Sequence, residues 1–220
     1  MLLNEAKWLG DAIHSCLSKE LNTILNIGSQ TLEFREKHQA YLTKYVTAPL
    51  IHKGASIVNV DIQSGNGIDV TGDICSPDVN ERLRKLHPHA AMCCNLLEHV
   101  PDIDRIAAAI REVLPVGGVI IASCPLDYPY HPDPIDNRFR PTVAELAAKF
   151  PRTRLIRSAI VDCGTLGKTL GTRRYGVMRC VIRSVLPIWK PQLWRRDFEA
   201  TKWMALRKRV SASCCVLEAI

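Results

Sequence analysis

The sequence predicts an α/β protein built on a mostly parallel sheet with helices on both faces. Apolar runs of strand length alternate with amphipathic segments of helix length, the pattern of βαβ units joined by right-handed crossovers. The clearest unit spans Ala90 to Arg140, AAMCCNLLEHVPDIDRIAAAIREVLPVGGVIIASCPLDYPYHPDPIDNRFR, in which two apolar runs flank a helical stripe and a proline-rich polar loop follows. Parallel strands in such units gather ligand-binding groups at their carboxyl ends.

The elements follow in order. Leu2 to Glu20 mixes apolar and charged residues as a leading helix does, and Thr23 to Gly28 (TILNIG) is a short buried strand ended by glycine. A helix is expected from Leu32 to about Val46, with Glu33 and Glu36 near its positive end. Ser56 to Asp61 (SIVNVD) is the next strand, and Ile68 to Val70 begins a third. Ser76, Pro77 and Asp78 stand in the order of a cap, a first-turn proline and an acid that complements the helix dipole, so a helix should run to about Leu86. Pro101 and Asp102 suit the first turn of the next helix, whose stripe is Ile103, Ile106, Ala107, Ile110, Val113 and Leu114, and Gly117 and Gly118 stop it. Thr142 and Glu145 have the spacing of a reciprocal cap ahead of Leu146. Arg154 to Val161 and Val210 to Leu217 are the last two strands.

At 220 residues and 47% hydrophobic, the chain suffices for one core and falls short of two ordinary domains, so residues 1–220 are read as one domain. No run reaches the ~20 apolar residues of a spanning helix, and the start lacks a basic segment followed by a long apolar core, so a cytoplasmic protein is expected. Six of the nine cysteines, Cys93, Cys94, Cys124, Cys180, Cys214 and Cys215, lie within apolar patterns and should be reduced and buried. Cys and His spacings carry no zinc signature, and no metal is expected from them. The net charge of +7 is uneven: Cys163 to Arg209 holds twelve Lys or Arg against two acids, a net +10, and the rest of the chain is −3.

The segment LLEHVPD (Leu96 to Asp102), together with the strand-and-helix order from Asn22 to about Phe150 and more loosely the final strand, resembles the class I S-adenosylmethionine-dependent methyltransferases. It is most similar to the group acting on small molecules and glycans. The resemblance implies a Rossmann-like, mostly parallel seven-stranded sheet ending in an antiparallel hairpin. S-adenosylmethionine is the implied cofactor, and a small-molecule, sugar or glycan-related acceptor, methylated on oxygen, the implied substrate. Such proteins carry a glycine-rich loop after the first strand. Here that loop is NIGSQT, with Asn26 at the acidic position, Gly28 its only glycine and Ser29 permitting the turn. The resemblance further implies that Asp61 accepts hydrogen bonds from the ribose hydroxyls, that Asp73 and the Ile74 backbone contact adenine, and that Asn95 and Leu96 lie near the methionine portion. Asp73 beside Gly72 equally suits a turn.

Acceptor chemistry points to the loop YPYHPDPIDNRFRP. His131 suits a general base, Asp133 and Asp136 orient it or bind acceptor hydroxyls, and Arg138 and Arg140 either hold an anionic group of the substrate or pair within the loop. Glu98 and His99 are read as organising the strand-to-helix turn. A metal site with His131 is the other arrangement those two allow. Cys124 ends its strand as in enzymes that methylate through a thiolate adduct, but CCNLLE stands where a proline-cysteine partner motif belongs, so an inert buried thiol is expected.

Residues 163–209 form a basic, tryptophan-containing insertion between the last two strands. Within it Val177, Met178, Val181, Ile182, Val185 and Leu186 share one helical stripe ended by Pro187, followed by Trp189, Trp194 and Trp203 among cations. The stripe either packs on the domain or lies against anionic membrane through 174–209 while covering the acceptor pocket, which would make the protein peripheral at the inner membrane surface. Nucleic acid is the lesser account of the charge, so an RNA methyltransferase is a lesser alternative. The thinned glycine loop leaves a noncatalytic binding or scaffold protein as another.

Overall fold

The computed structural model describes residues 1–16, 23–132, 134–171, 176–185 and 191–220. The apolar runs become the strands β1 (Thr23–Ile27), β2 (Ser56–Asp61), β3 (Val70–Thr71), β4 (Ala90–Cys94), β5 (Val119–Pro125), β6 (Thr153–Thr165) and β7 (Arg209–Ala219). They form one sheet in the order β3-β2-β1-β4-β5-β7-β6. The first five pair in parallel, and β7 runs antiparallel to β5 and β6. This is the expected seven-stranded sheet with its terminal hairpin, and the hairpin strands are longer than their apolar runs.

Ten helices cover it: α1 (Leu3–Cys16), α2 (Leu32–His38), α3 (Ala40–Leu42), α4 (Ala48–His52), α5 (Pro77–Arg84), α6 (Ile103–Glu112), α7 (Val143–Ala148), α8 (Leu166–Gly171), α9 (Gly176–Val185) and α10 (Pro191–Ala205), counted among the described residues. Neighbouring residues on a strand point to opposite sides, and in the central strands β1, β4 and β5 both sides are buried, whereas the edge strand β6 stays largely exposed. Leu25, Cys93 and Ile120 join Leu83, Ile110 and Leu146 of α5, α6 and α7 in one core, while Ile24, Met92 and Ile121 join Leu9 and Ile13 of α1 in the other. Ser76 caps α5 through the Val79 amide at 3.4 Å, and the Thr142–Glu145 box closes in both directions.

Two expectations are corrected. The single helix from Leu32 to Val46 is broken at Gln39 and then continues to His52 through a π-helical turn, Thr43–Thr47. Pro49 supplies the reason: a proline ring clashes with the carbonyl four residues earlier, here that of Tyr45, and widening the turn relieves the clash. Asp102 does not lie in the first turn of α6. It is the cap, accepting from the Arg105 amide at 3.0 Å. For the apolar stripe of α9 both packing on the domain and an outward face were open, and it faces outward. Cys180 is buried, whereas Val177, Met178, Val181, Ile182 and Val185 face solvent, Met178 at 54% and Val185 at 72% exposure. Leu186, Pro187 and Trp189 lie outside the described residues.

All nine cysteines are free. Burial pushes the thiols of Cys94 and Cys215 up to about 12, which keeps them protonated. Among the described residues no helix is long and apolar enough to cross a membrane.

Helix α1 meets the π turn closely. A methyl group on Gly10 would stand 2.2 Å from the Tyr45 carbonyl oxygen, a backbone atom that cannot swing away. Gly10→Ala is therefore expected to cost about 1–3 kcal/mol, read as a lower urea midpoint with an unchanged m-value.

Candidate functional site

A cavity of about 700 Å³ opens along the carboxyl ends of β1, β2 and β4, and Gly28, Asp61, Asp73, Asn95, Glu98 and His131 lie in its wall. Its volume is within the ordinary range for a small-molecule site. Gly28 has φ +69°, a conformation that calls for glycine, and a methyl there would come within 2.8 Å of the tip of the Leu96 side chain, which would have to move. The amides of Gly28 and Ser29 both donate to the Val60 carbonyl, at 2.9 and 3.1 Å, which binds the loop to the tip of β2.

Asp61 ends β2. Its Oδ2 accepts from the Gln30 amide at 2.8 Å and its Oδ1 from the Gln63 amide at 3.0 Å. Each carboxylate oxygen accepts two hydrogen bonds, so a fixed acceptor site remains on each. The loop with one glycine is stiffened from beneath by Arg35 of α2. That buried guanidinium donates to the carbonyls of Ser29, Gln30 and Gly67, and so ties the loop after β1 to the loop after β2.

Not every expected residue reaches the cleft. Asn26 is buried inside β1, donating to Asn59 Oδ1 at 3.1 Å, and Ser29 turns its hydroxyl to the Gln30 carbonyl at 3.3 Å. Neither lines the cavity, because strand alternation and the turn direct them into the protein. Asp73 and Ile74 do line it. Asp73 Oδ1 also accepts from the Cys75 amide at 2.9 Å, as a turn residue does, and its Oδ2 lies 3.9 Å from Arg105. Asn95 and Leu96 are there too. Asn95 has φ +52° and a buried Oδ1 without a hydrogen-bond partner.

At the other end, the loop from Leu126 to Pro141 folds over the Leu97–His99 turn. Asn137 is the clasp, with its side-chain amide donating to the carbonyls of Leu97 at 2.8 Å and Val100 at 2.7 Å and its own amide donating to Glu98 O at 2.9 Å. This brings His131 edge-on to His99, with ring centroids 5.1 Å apart. Asp136 does not reach the cavity. Its carboxylate accepts from Arg140 at 2.7 Å and from the His131 and Arg138 amides at 2.9 and 2.8 Å, and lies 3.3 Å from His131 Nδ1. Burial opposes its ionisation, but hydrogen bonds from His131, Arg140 and the two amides prevail and hold its carboxyl well below the usual carboxylate range. Arg138 pairs with Glu199 at 3.0 Å. Both arginines are thus engaged within the protein. Asp133 lies outside the described residues.

Glu98 is fully buried, and burial raises its pKa above the usual carboxylate value. The Cys124 thiol donates to its Oε2 at 3.3 Å, and burial pushes that thiol far above its ordinary value, so Cys124 is no nucleophile.

The insertion closes the far wall through Leu166, Cys180, Arg196, Asp197 and Ala200. A residue that sequence reasoning missed comes from the opposite side: buried Glu5 of α1, which accepts from Ser123 Oγ at 2.7 Å and the Leu2 amide at 3.0 Å. The signal was an acid set among the apolar residues Ala6, Leu9, Ala12 and Ile13 on the buried side of the helix.

No known protein family's sequence profile matches the chain, and no curated protein matches it in sequence. Solved structures do match in fold. The [4+2]-cyclase SpnF superposes with a TM-score of 0.56 at 12% identity, over 97% of this chain and 80% of that one. Coclaurine N-methyltransferase, solved with N-methylheliamine and S-adenosylhomocysteine, gives 0.51 at 14% identity over 97% and 72%. An S-adenosylmethionine-dependent methyltransferase from Methanosarcina mazei gives 0.51 at 14% identity over 95% and 97%. The fold is that of the class I methyltransferases. At such identities the likeness concerns the fold alone, and the cyclase shows that more than one chemistry uses it.

Asp136 has a depressed pKa, so it stabilises the fold above the ordinary carboxylate value near ~3.9, and that contribution disappears as pH falls through its depressed value. Asp136→Asn should cost about 2 kcal/mol at pH 7. In urea unfolding across pH 7 to 2.5, the gap from wild type should hold steady down to about pH 5 and narrow below about pH 4.

Proposed function

We propose that the chain is an S-adenosylmethionine-dependent methyltransferase acting on a hydroxyl of a small-molecule, sugar or glycan-related acceptor. The observation that carries the reading is Asp61. It is a buried carboxylate at the tip of β2, in the cavity wall, with both oxygens fixed by backbone amides and each keeping an acceptor position for one of two vicinal hydroxyls. The rest of the cleft fits the same group. Gly28 leaves the backbone bare beside Leu96, and Asp73 and Ile74, which line the same cavity, are the adenine contacts in this reading.

The cofactor supplies an electrophilic methyl. The protein's part in such a displacement is to position the acceptor and assist loss of its proton. His131 is the group at the acceptor end whose Nδ1 is directed by the Pro129 carbonyl, 3.1 Å away, and by Asp136. Asp136 is accordingly a positioning residue. With Arg138 and Arg140 engaged by acids of this chain, a neutral polyol acceptor suits the cleft better than an anionic one.

Calorimetry with S-adenosylhomocysteine tests the reading. Wild type should bind, and Asp61→Ala should bind about 10- to 100-fold more weakly, the worth of hydrogen bonds to a charged group. Undetectable wild-type binding at millimolar ligand would leave a noncatalytic binding protein, the alternative favoured by the single-glycine loop. In a methylation assay His131→Ala should lose about 10²-fold or more in turnover with its S-adenosylhomocysteine affinity intact.

The exposed stripe of α9 supports a peripheral contact with anionic membrane beside this cleft. Met178, Val181, Ile182 and Val185 face outward, and Arg195, Lys202, Arg207 and Lys208 stand on α10 and its exit. Flotation with vesicles containing anionic phospholipid should recover the protein at low salt and not with neutral vesicles. Met178→Asp combined with Ile182→Asp should abolish recovery.

A further inference from the structure

Glu98, His99 and His131 each present one donor atom, all within 4.8 Å of one another, at the acceptor end of the cleft. The hydrogen bonds around them leave one Glu98 oxygen and one nitrogen of each ring available. Glu98 Oε1 is buried and has no hydrogen-bond partner. His99 Nδ1 lies 2.6 Å from the Ile135 carbonyl oxygen, which can only accept, so that nitrogen carries the proton and Nε2 keeps its lone pair. His99 Nε2 in turn is 3.8 Å from Glu98 Oε1.

The same holds for His131. Its Nδ1 faces two acceptors, the Pro129 carbonyl at 3.1 Å and Asp136 at 3.3 Å, and one donor, the Arg140 amino group at 3.4 Å, which Asp136 holds at 2.7 Å. The two nearer acceptors favour the proton on Nδ1 and the lone pair on Nε2. Two imidazole nitrogens and a buried, unpartnered carboxyl oxygen thus converge. Outer hydrogen bonds from a carbonyl and from a carboxylate that fix each ring's tautomer are the surroundings in which histidine ligates metals.

We propose that Glu98, His99 and His131 bind one divalent ion of the zinc class. Imidazole with carboxylate selects borderline first-row ions over magnesium or calcium. Bonds of about 2.1 Å at tetrahedral angles put donors about 3.4 Å apart, so the Glu98 and His99 donors, at 3.8 Å, are close to that spacing and the widest pair must draw in by up to about 1.4 Å. Three protein ligands leave positions open towards the cleft. An acceptor hydroxyl bound there loses its proton to water more readily. Its oxygen then forms the bond to the methyl carbon as the sulfur–methyl bond breaks, releasing S-adenosylhomocysteine. That last role rests on the methyltransferase reading and takes the place of His131 as base; binding of the ion does not depend on it.

The test is equilibrium dialysis of the full chain against Zn²⁺ with metal counted by mass spectrometry, alongside Glu98→Gln and His131→Ala, and calorimetry of each with S-adenosylhomocysteine. About one ion per chain is expected, with affinity reduced about tenfold or more in each variant and S-adenosylhomocysteine affinity unchanged. His131 lies on a surface loop, so its variant serves even if Glu98→Gln does not fold. No stoichiometric Zn²⁺ in wild type, or equal retention by the variants, overturns the proposal. S-adenosylhomocysteine binding without ion binding would remove the metal alone and leave His131 as base. Ion binding without S-adenosylhomocysteine binding would remove the methyltransferase reading alone.

Discussion

Parallel pairing of β1 with β2 and β4 is the constraint on which the site depends. Ile27 pairs with Val60 on one side and with Cys93 on the other, so the chain leaves all three strands at one level. Gly28, Asp61 and Asn95 therefore emerge side by side although they are distant in sequence. No loop has to reach for the others. The cleft is the gap left where neighbouring strands hand their chains to opposite faces of the sheet.

Much of this architecture was legible because apolar runs and capping residues are local signals. SIVNVD became β2 with its expected bounds, and Thr142 with Glu145 capped α7 as spaced. The helix after β1 was misread because its stripe continues through the π turn, and the effect of Pro49 on Tyr45 is felt a turn upstream. Asp61 was legible as a strand tip. Asn26 and Ser29 were not separable from it in sequence, because which side of a strand or turn faces a ligand is settled by the neighbours. Arg35 and Asn137 act through backbone carbonyls of other loops, and Glu5 through the Ser123 hydroxyl far along the chain; no local pattern names those partners.

The acceptor end shows how charge was distributed. A strongly basic chain might have offered free arginines to a substrate, yet Arg138 and Arg140 are consumed by Glu199 and Asp136. Among the described residues, the buried side-chain atoms in the cavity wall without a hydrogen-bond partner are all acceptors: Asn95 Oδ1, Glu98 Oε1 and Asp197 Oδ2. Groups that only accept hydrogen bonds select ligands that donate them, or cations. The same buried pair of Glu98 and Cys124 keeps a thiol that might otherwise react in its neutral form.

The helices α8 to α10 enter from β6 and leave into β7, adjacent strands of the terminal hairpin. They hang from the sheet's margin like an exchangeable cassette. Substitutions, insertions or wholesale replacement there would reshape one wall of the chamber without disturbing the strand tips that define the other. Descendants of such a scaffold can change clientele while keeping the same reagent.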